Sequence, residues 1–215
     1  MPASLVHFSS GEQVRQAARF RRTLFAASGN LDEATRTADE AFDASPNCII
    51  VGVRHAGEIH GMMRIHVAGR DIRHSPARSV FSDVIDPLLD SGFRVVDSSG
   101  FCVREDRAAE LMRTATRLLA ASIHIARRVA PSRMVATARG RHDLFYRQVL
   151  GGTLACGPRV YPGRVHPLAL YLRRTEDMID WLNTRQGRRF DLDHADRTIV
   201  DRALETIMDS IGSNP

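Results

Sequence analysis

Asp97 sits where a buried strand would normally carry an apolar side chain. It lies in the stretch 93–103, where Val95-Val96 leads into Asp97-Ser98-Ser99-Gly100-Phe101 and β-type residues resume at Cys102-Val103. Burial disfavours the charged form of a carboxylate, so its proton affinity rises toward the range useful for accepting a proton near neutral pH. Gly100 inside the strand signals a bulge or the close approach of a ligand. A bulge releases backbone N–H groups from the ladder, here at Ser99, Gly100 and Phe101, and such donors can meet a developing negative charge.

Arg64 stands in the β-type run 58–67, where an arginine without a task is costly to bury. Its guanidinium fork suits a carboxylate, either that of a bound molecule or a fixed partner such as Asp97. Glu40 and Asp43, three residues apart, share a helical face, as a solvated acidic pair or as part of a site. Arg104, Arg107, Arg113 and Arg117 cluster at the end of the Asp97 strand and the start of the next helix. They form either a wet helical face or a landing surface for an acidic partner.

All 30 basic residues among the 215 are arginine. Without lysine, Schiff-base catalysis, pyridoxal phosphate attachment and the phosphate-loop lysine are excluded. Arginine in place of lysine also accompanies a GC-rich genome. The net charge of +5 favours acidic partners, but no nucleic-acid reading motif stands on the basic helices, so specific nucleic-acid binding is not expected. Cys48, Cys102 and Cys156 are three in number and widely spaced, which suggests neither a disulfide framework nor a zinc knuckle. His60 and His66 would share a strand face without an acidic or cysteine partner beside them, and no metal site is expected. No apolar run reaches the ~20 residues of a membrane span, and residues 1–10 lack a secretion signal, so the chain reads as cytoplasmic.

The elements that must position these residues follow from periodicity and breakers. Helices are expected at 12–27 and 31–42, and a hairpin at 48–53 and 58–67. A polar loop follows from 69, with a short helix at 79–89. Then come the Asp97 strand, a long helix capped by Asp106 and ended by Pro131, and a strand at 133–138. A helix at 142–150 is closed by Gly151-Gly152, with strands at 153–161 and 166–173 and tail helices at 176–183 and 194–211. This mixed order excludes a regularly alternating, doubly wound sheet. The fold class is α+β, with residues 1–175 as one domain and 176–215 as a C-terminal helical extension.

That order resembles the GNAT acyltransferase fold, which implies a mixed central sheet flanked by helices, and four local matches point to the N-acyl amino acid synthases, relatives of the acyl-homoserine lactone synthases. Arg19 to Phe25 followed by Asp39-Glu40-Ala41-Phe42-Asp43 resembles the family's first helix and acidic element. Gly61-Met62-Met63-Arg64-Ile65 resembles its glycine-then-arginine strand, and Val95 to Val103 its acidic-x-Ser-Arg-aromatic-x-Val strand. His142 to Gly152 resembles the helix that presents a tyrosine and ends in glycine. Two positions depart from the pattern: Gly100 replaces an arginine and Asp97 a glutamate. Arg104-Glu105-Asp106-Arg107-Ala108-Ala109 stands where many GNAT enzymes carry a glycine-rich phosphate loop, and its two acids and lack of glycine make a poor pyrophosphate cradle.

The resemblance implies an N-acyltransferase that moves a long-chain acyl group from the phosphopantetheine thioester of acyl carrier protein to the amine of an amino acid, with no tightly bound cofactor. Asp97 would orient the ammonium group or relay its proton. Arg64, Glu40, Asp43 and Ser99 would bind the acceptor, and the N–H groups at Gly100 and Phe101 would hold the oxyanion. Tyr146 would donate to the leaving thiolate, and Arg104, Arg107, Arg113 and Arg117 would receive the carrier and its phosphate. An acyl-homoserine lactone synthase and a non-catalytic acyl-binding protein are the alternatives. Neither the amino acid, the chain length nor the oligomeric state is legible.

Overall fold

In the computed structural model, which describes residues 3–29, 40–104, 108–161 and 165–211, seven strands form one sheet. They are β1 (Ser4–His7), β2 (Cys48–His55), β3 (Glu58–Ala68), β4 (Arg94–Val103), β5 (Ser132–Ala138), β6 (Thr153–Arg159) and β7 (Leu168–Arg174). Their spatial order is β1-β2-β3-β4-β5-β7-β6. Every neighbouring pair is antiparallel except β4 and β5, which run parallel because a long helix carries the chain from one to the other. The sheet is mixed and flanked by helices, as the resemblance to the GNAT fold implies.

Alternation along the strands sorts side chains onto two faces. Met63, Ile65, Val67 and Val96 meet helices α3 (Ala108–Arg128) and α5 (His194–Ile211) through Leu118, Ala121, Ile125, Val200, Ala203, Leu204 and Ile207. On the other face, α1 (Gly11–Ala27) packs Ala17 over Ile50, Met62 and Cys102. Helix α2 (Arg78–Asp90) packs Phe81, Ile85 and Leu89 over Ala68, Val95 and Val135. Burying each of the valine, leucine, isoleucine, methionine and phenylalanine side chains contributes about 1.5–3 kcal/mol. Helix α1 begins in a capping box, with the Ser10 hydroxyl accepting from the Gln13 N–H at 3.3 Å and the Gln13 side chain accepting from the Ser10 N–H. Helix α4 (Thr175–Leu182) adds Met178 to the α3-side core. No helix among the described residues is long and apolar enough to cross a membrane.

Several elements differ from expectation. Strand β1 is not among the expected elements; its four residues are too few for an alternating pattern to stand out, and they gain definition by pairing with Val51–Arg54 at the sheet edge. The segment expected as a helix at 142–150 is helical but not regular: a 3₁₀ turn at Gly140–His142 leads through 143–144 into a π-turn at Phe145–Val149, in which the Leu150 N–H donates to the Phe145 carbonyl. Of the helix expected at 31–42, only residues 40 onward are described, and 40–43 are helical. The Asp106 cap lies outside the described residues. All three cysteines are free thiols.

Candidate active site

The sheet comes apart where β4 becomes irregular. Strands β4 and β5 pair from Arg94↔Ser132 to Ser98↔Ala136 and no further, although β4 continues to Val103 and β5 to Ala138. On the other side of β4, Arg64 pairs with Ser99 and Met62 with Cys102, so Gly100 and Phe101 together oppose the single residue Met63. This is the expected bulge, and Gly100 has φ +60°, a left-handed conformation that a side chain resists. A Cβ there would also stand 3.2 Å from Arg21 Cδ. Neither flanking strand supplies Gly100 or Phe101 with a register partner, and Phe101 is exposed beside the gap.

Beneath the bulge lies a buried charge network. Arg21 donates from both terminal nitrogens to Asp43, at 3.1 and 2.6 Å. Arg64 donates to the same carboxylate at 3.1 Å and from Nε to Ser99 Oγ at 3.1 Å. The Arg64 guanidinium also lies 5.3 Å from the centre of the Phe42 ring. Arg64 is therefore paired with Asp43 and Ser99, not hydrogen-bonded to Asp97. Glu40 parts company with Asp43: it is exposed and bonds Arg22 on α1 at 2.9 Å. Arg21 was not singled out as a site residue, yet a signal existed. It interrupts the apolar stripe Val14, Ala17, Ala18, Leu24, Phe25 at a position pointing to the sheet, where an arginine has to find a buried partner.

Asp97 is wholly buried and opposes His66 across β3 and β4. Its Oδ2 accepts from the Ala77 N–H at 2.7 Å, and Ser75 lies nearby. Burial nevertheless pushes its carboxyl up to about 6, with the Ala77 hydrogen bond, the neighbouring Ser75 and the Arg64 charge opposing the shift. His66 is held well below the usual imidazole range, mainly by burial and then by Arg64, and so is neutral. Its Nε2 lies 3.1 Å from the Phe42 carbonyl, which only accepts; the proton is thereby assigned to Nε2 and Nδ1 becomes a lone-pair acceptor. His66 Nδ1 and Asp97 Oδ1 both lack a hydrogen-bond partner among the described residues.

Tyr146, within the π-turn, packs against Ala138, Ala169 and Tyr171 at the free end of β5, across the gap from the bulge. Its ring stacks on Tyr171 at 5.0 Å. Burial pushes its phenol up to about 12, so it carries its proton at every physiological pH. Protonating a thiolate of ordinary pKa, roughly 8.5, would run uphill by about 5 kcal/mol, so the hydroxyl is suited to donating a hydrogen bond and not to surrendering its proton. Tyr146→Phe is expected to lower turnover by about tenfold or less, the worth of one hydrogen bond, without moving the pH profile below pH 10.

The arginines expected to receive a carrier are divided. Arg113 is exposed on α3 and Arg104 is half-buried at the end of β4, while Arg107 lies outside the described residues. Arg117 does not join them: it bonds Asp196 at 2.5 Å and the Ala3 carbonyl at 2.5 Å, tying α3 to α5 and to the chain just before β1.

The family model described as "N-acyl amino acid synthase FeeM" matches residues 16–174, a span that includes Arg21, Arg64, the bulge and Tyr146. The chain belongs to the FeeM family of N-acyl amino acid synthases. It is an acyltransferase with a GNAT fold. Among solved structures, FeeM from uncultured soil microbes superposes with a TM-score of 0.72 at 17% identity, covering 87% of this chain and 97% of that one. A CoA-dependent acyl-homoserine lactone synthase, BjaI, gives 0.56 at 15%, covering 94% and 99%. An acyl-CoA N-acyltransferase from Pseudomonas aeruginosa gives 0.54 at 11%, covering 80% and 98%. At these identities the likeness is one of fold. No curated protein matches the chain at a significant level.

Proposed function

We infer that this FeeM-family chain transfers a long-chain acyl group from acyl carrier protein to the amine of an amino acid, in the cytoplasm of a bacterium. The observation that carries the reading is the gap between β4 and β5, with an unpartnered bulge on one flank and a protonated tyrosine on the other. A thioester carbonyl at the bulge would find the Gly100 and Phe101 N–H groups as its developing charge forms. The bound ammonium first gives a proton to Asp97, whose affinity lies within about 2 pKa units of an α-amino group. The resulting amine attacks the carbonyl carbon, a C–N bond forms, the C–S bond breaks, and the nitrogen's second proton passes to solvent. The departing thiolate takes a hydrogen bond from Tyr146 and its proton from solvent.

Two buried lone-pair acceptors, His66 Nδ1 and Asp97 Oδ1, suit an ammonium group, which has only donors to offer. Its entry requires the Ser75–Ala77 segment to yield, since that segment closes over Asp97. Arg64, with Asp43 and Ser99, supports the carboxylate end, while Glu40 lies outward at the rim. The glycine-free, acid-bearing stretch 104–109 favours a carrier protein over free coenzyme A, with Arg104, Arg107 and Arg113 as its contacts.

The test is to incubate the purified chain with mixed amino acids and long-chain acyl groups, presented in parallel on acyl carrier protein and on coenzyme A, and to search for acyl amides by mass spectrometry. Amide formed faster from the carrier supports the proposal. Amide formed only from coenzyme A overturns the donor assignment. A lactone formed only when S-adenosylmethionine is supplied, or no product from either donor, overturns the reaction.

A further inference from the structure

On the face of the sheet opposite Arg64, three side chains from three separate elements converge. His55 ends β2, His60 lies near the start of β3, and Glu110 stands in the first turn of α3. One ligand atom from each lies within 4.8 Å of the others, all three residues are half-buried, and the two imidazole centroids are 5.4 Å apart. We propose that this cluster binds a divalent transition-metal ion of the zinc type.

Its assembly has local causes. Val53 pairs with Gly61 and Arg54 with Ile59, so His60 is an extra residue in β3, a bulge that breaks the alternation. Ile59 packs on the α1 side and Val53 on the α3 side, and the bulge turns His60 to the α3 side alongside His55. Hence His60 and His66 do not share a face as strict alternation implies. Gly61 then lets α3 close in: a Cβ there would stand 2.6 Å from Thr114 Cγ2 and 3.2 Å from Leu118 Cδ1. Glu110, Thr114 and Leu118 are spaced by four, on one helical face, so the helix that packs on Gly61 also brings the Glu110 carboxylate over the histidines.

Two imidazoles and a carboxylate are a set that zinc accepts, with a fourth position left for water. Bonds of about 2.0–2.2 Å place tetrahedral ligand atoms roughly 3.3–3.5 Å apart, so the three groups need to close by little more than 1 Å, within side-chain rotation. The ion would tie the β2–β3 hairpin to the start of α3, at the point where the Arg104 N–H already donates to the His60 carbonyl at 2.9 Å. The site is separated from Arg64 and Asp97 by the sheet, and it stands or falls independently of the acyl-transfer chemistry.

The experiment is a titration of the chelator-treated full chain with Co²⁺, followed by its visible ligand-field absorption, with Zn²⁺ as competitor and the melting temperature as a second readout. A spectrum saturating at one ion per chain, displaced by Zn²⁺, accompanied by a rise in melting temperature, and lost in both His60→Gln and Glu110→Gln, is the expected result. His124→Gln, at a histidine paired with Asp201 elsewhere on α3, should leave it intact. No saturable spectrum in the parent chain, or the same spectrum in the His60 and Glu110 variants, overturns the proposal. A variant that loses its fold is replaced by His55→Gln, at the end of β2, and the same two outcomes apply.

Discussion

Asp97→Asn is expected to lower acyl transfer by about 10²–10⁴-fold, the usual worth of a positioned proton acceptor, while making the protein harder to unfold at pH 8. Asparagine keeps an oxygen for the Ala77 N–H but cannot ionise. The folded carboxyl is raised from the ordinary value of 3.8 to about 6, so the folded state favours the protonated form. The stability this contributes is fully present below about pH 4 and is lost as pH rises through about 6, leaving a charged group that costs about 3 kcal/mol at pH 8. Relieving it should raise the melting temperature by about 5–10 °C at pH 8 and by little at pH 4. Parent activity should climb as pH passes about 6. Unchanged turnover in the variant would remove Asp97 from the proton path, and a lower melting temperature at pH 8 would contradict the destabilising charge.

Asp43→Ala is expected to have the largest effect on folding, about 3–5 kcal/mol, as when one member of a buried ion pair is deleted. One carboxylate accepts three hydrogen bonds from Arg21 and Arg64, and all three side chains are almost inaccessible. Its removal strips both guanidiniums of that contact in a place where water does not replace it. Denaturant unfolding should show a lower midpoint with little change in slope. A loss below about 1 kcal/mol would mean that the network is worth no more than an exposed pair. Arg21→Met with Asp43→Leu and Arg64→Met should recover much of the stability while leaving the protein inactive, which separates folding from function.

What was legible in the sequence was whatever carried its own contradiction. Asp97 and Gly100 interrupt an otherwise apolar strand, and the structure answers with a buried carboxyl and a left-handed bulge. Arg21 interrupts an apolar helical stripe in the same manner, but its partner is 22 residues away in a segment of different character, so the interruption alone did not name Asp43. Arg117 and Arg113, one helical turn apart, are indistinguishable by periodicity. Only the approach of α5 and of the chain before β1 commits the first to Asp196 and Ala3. The π-turn differs from an α-helix by one residue in its hydrogen bonding, a distinction that a nine-residue apolar pattern does not carry. The convergence of His55, His60 and Glu110 depends on a one-residue insertion in a ladder, and strict alternation sends His60 to the wrong side.

The gap between β4 and β5 also bears on how the chain behaves in a crowd. An interior rim of unpaired backbone is a template for a strand from another molecule, the hazard that sheets ordinarily meet only at their outermost strands. The left-handed turn at Gly100 spoils the even spacing of donors and acceptors that an incoming strand would need. The same irregularity that shapes the cleft thus keeps neighbouring copies from stitching themselves into it.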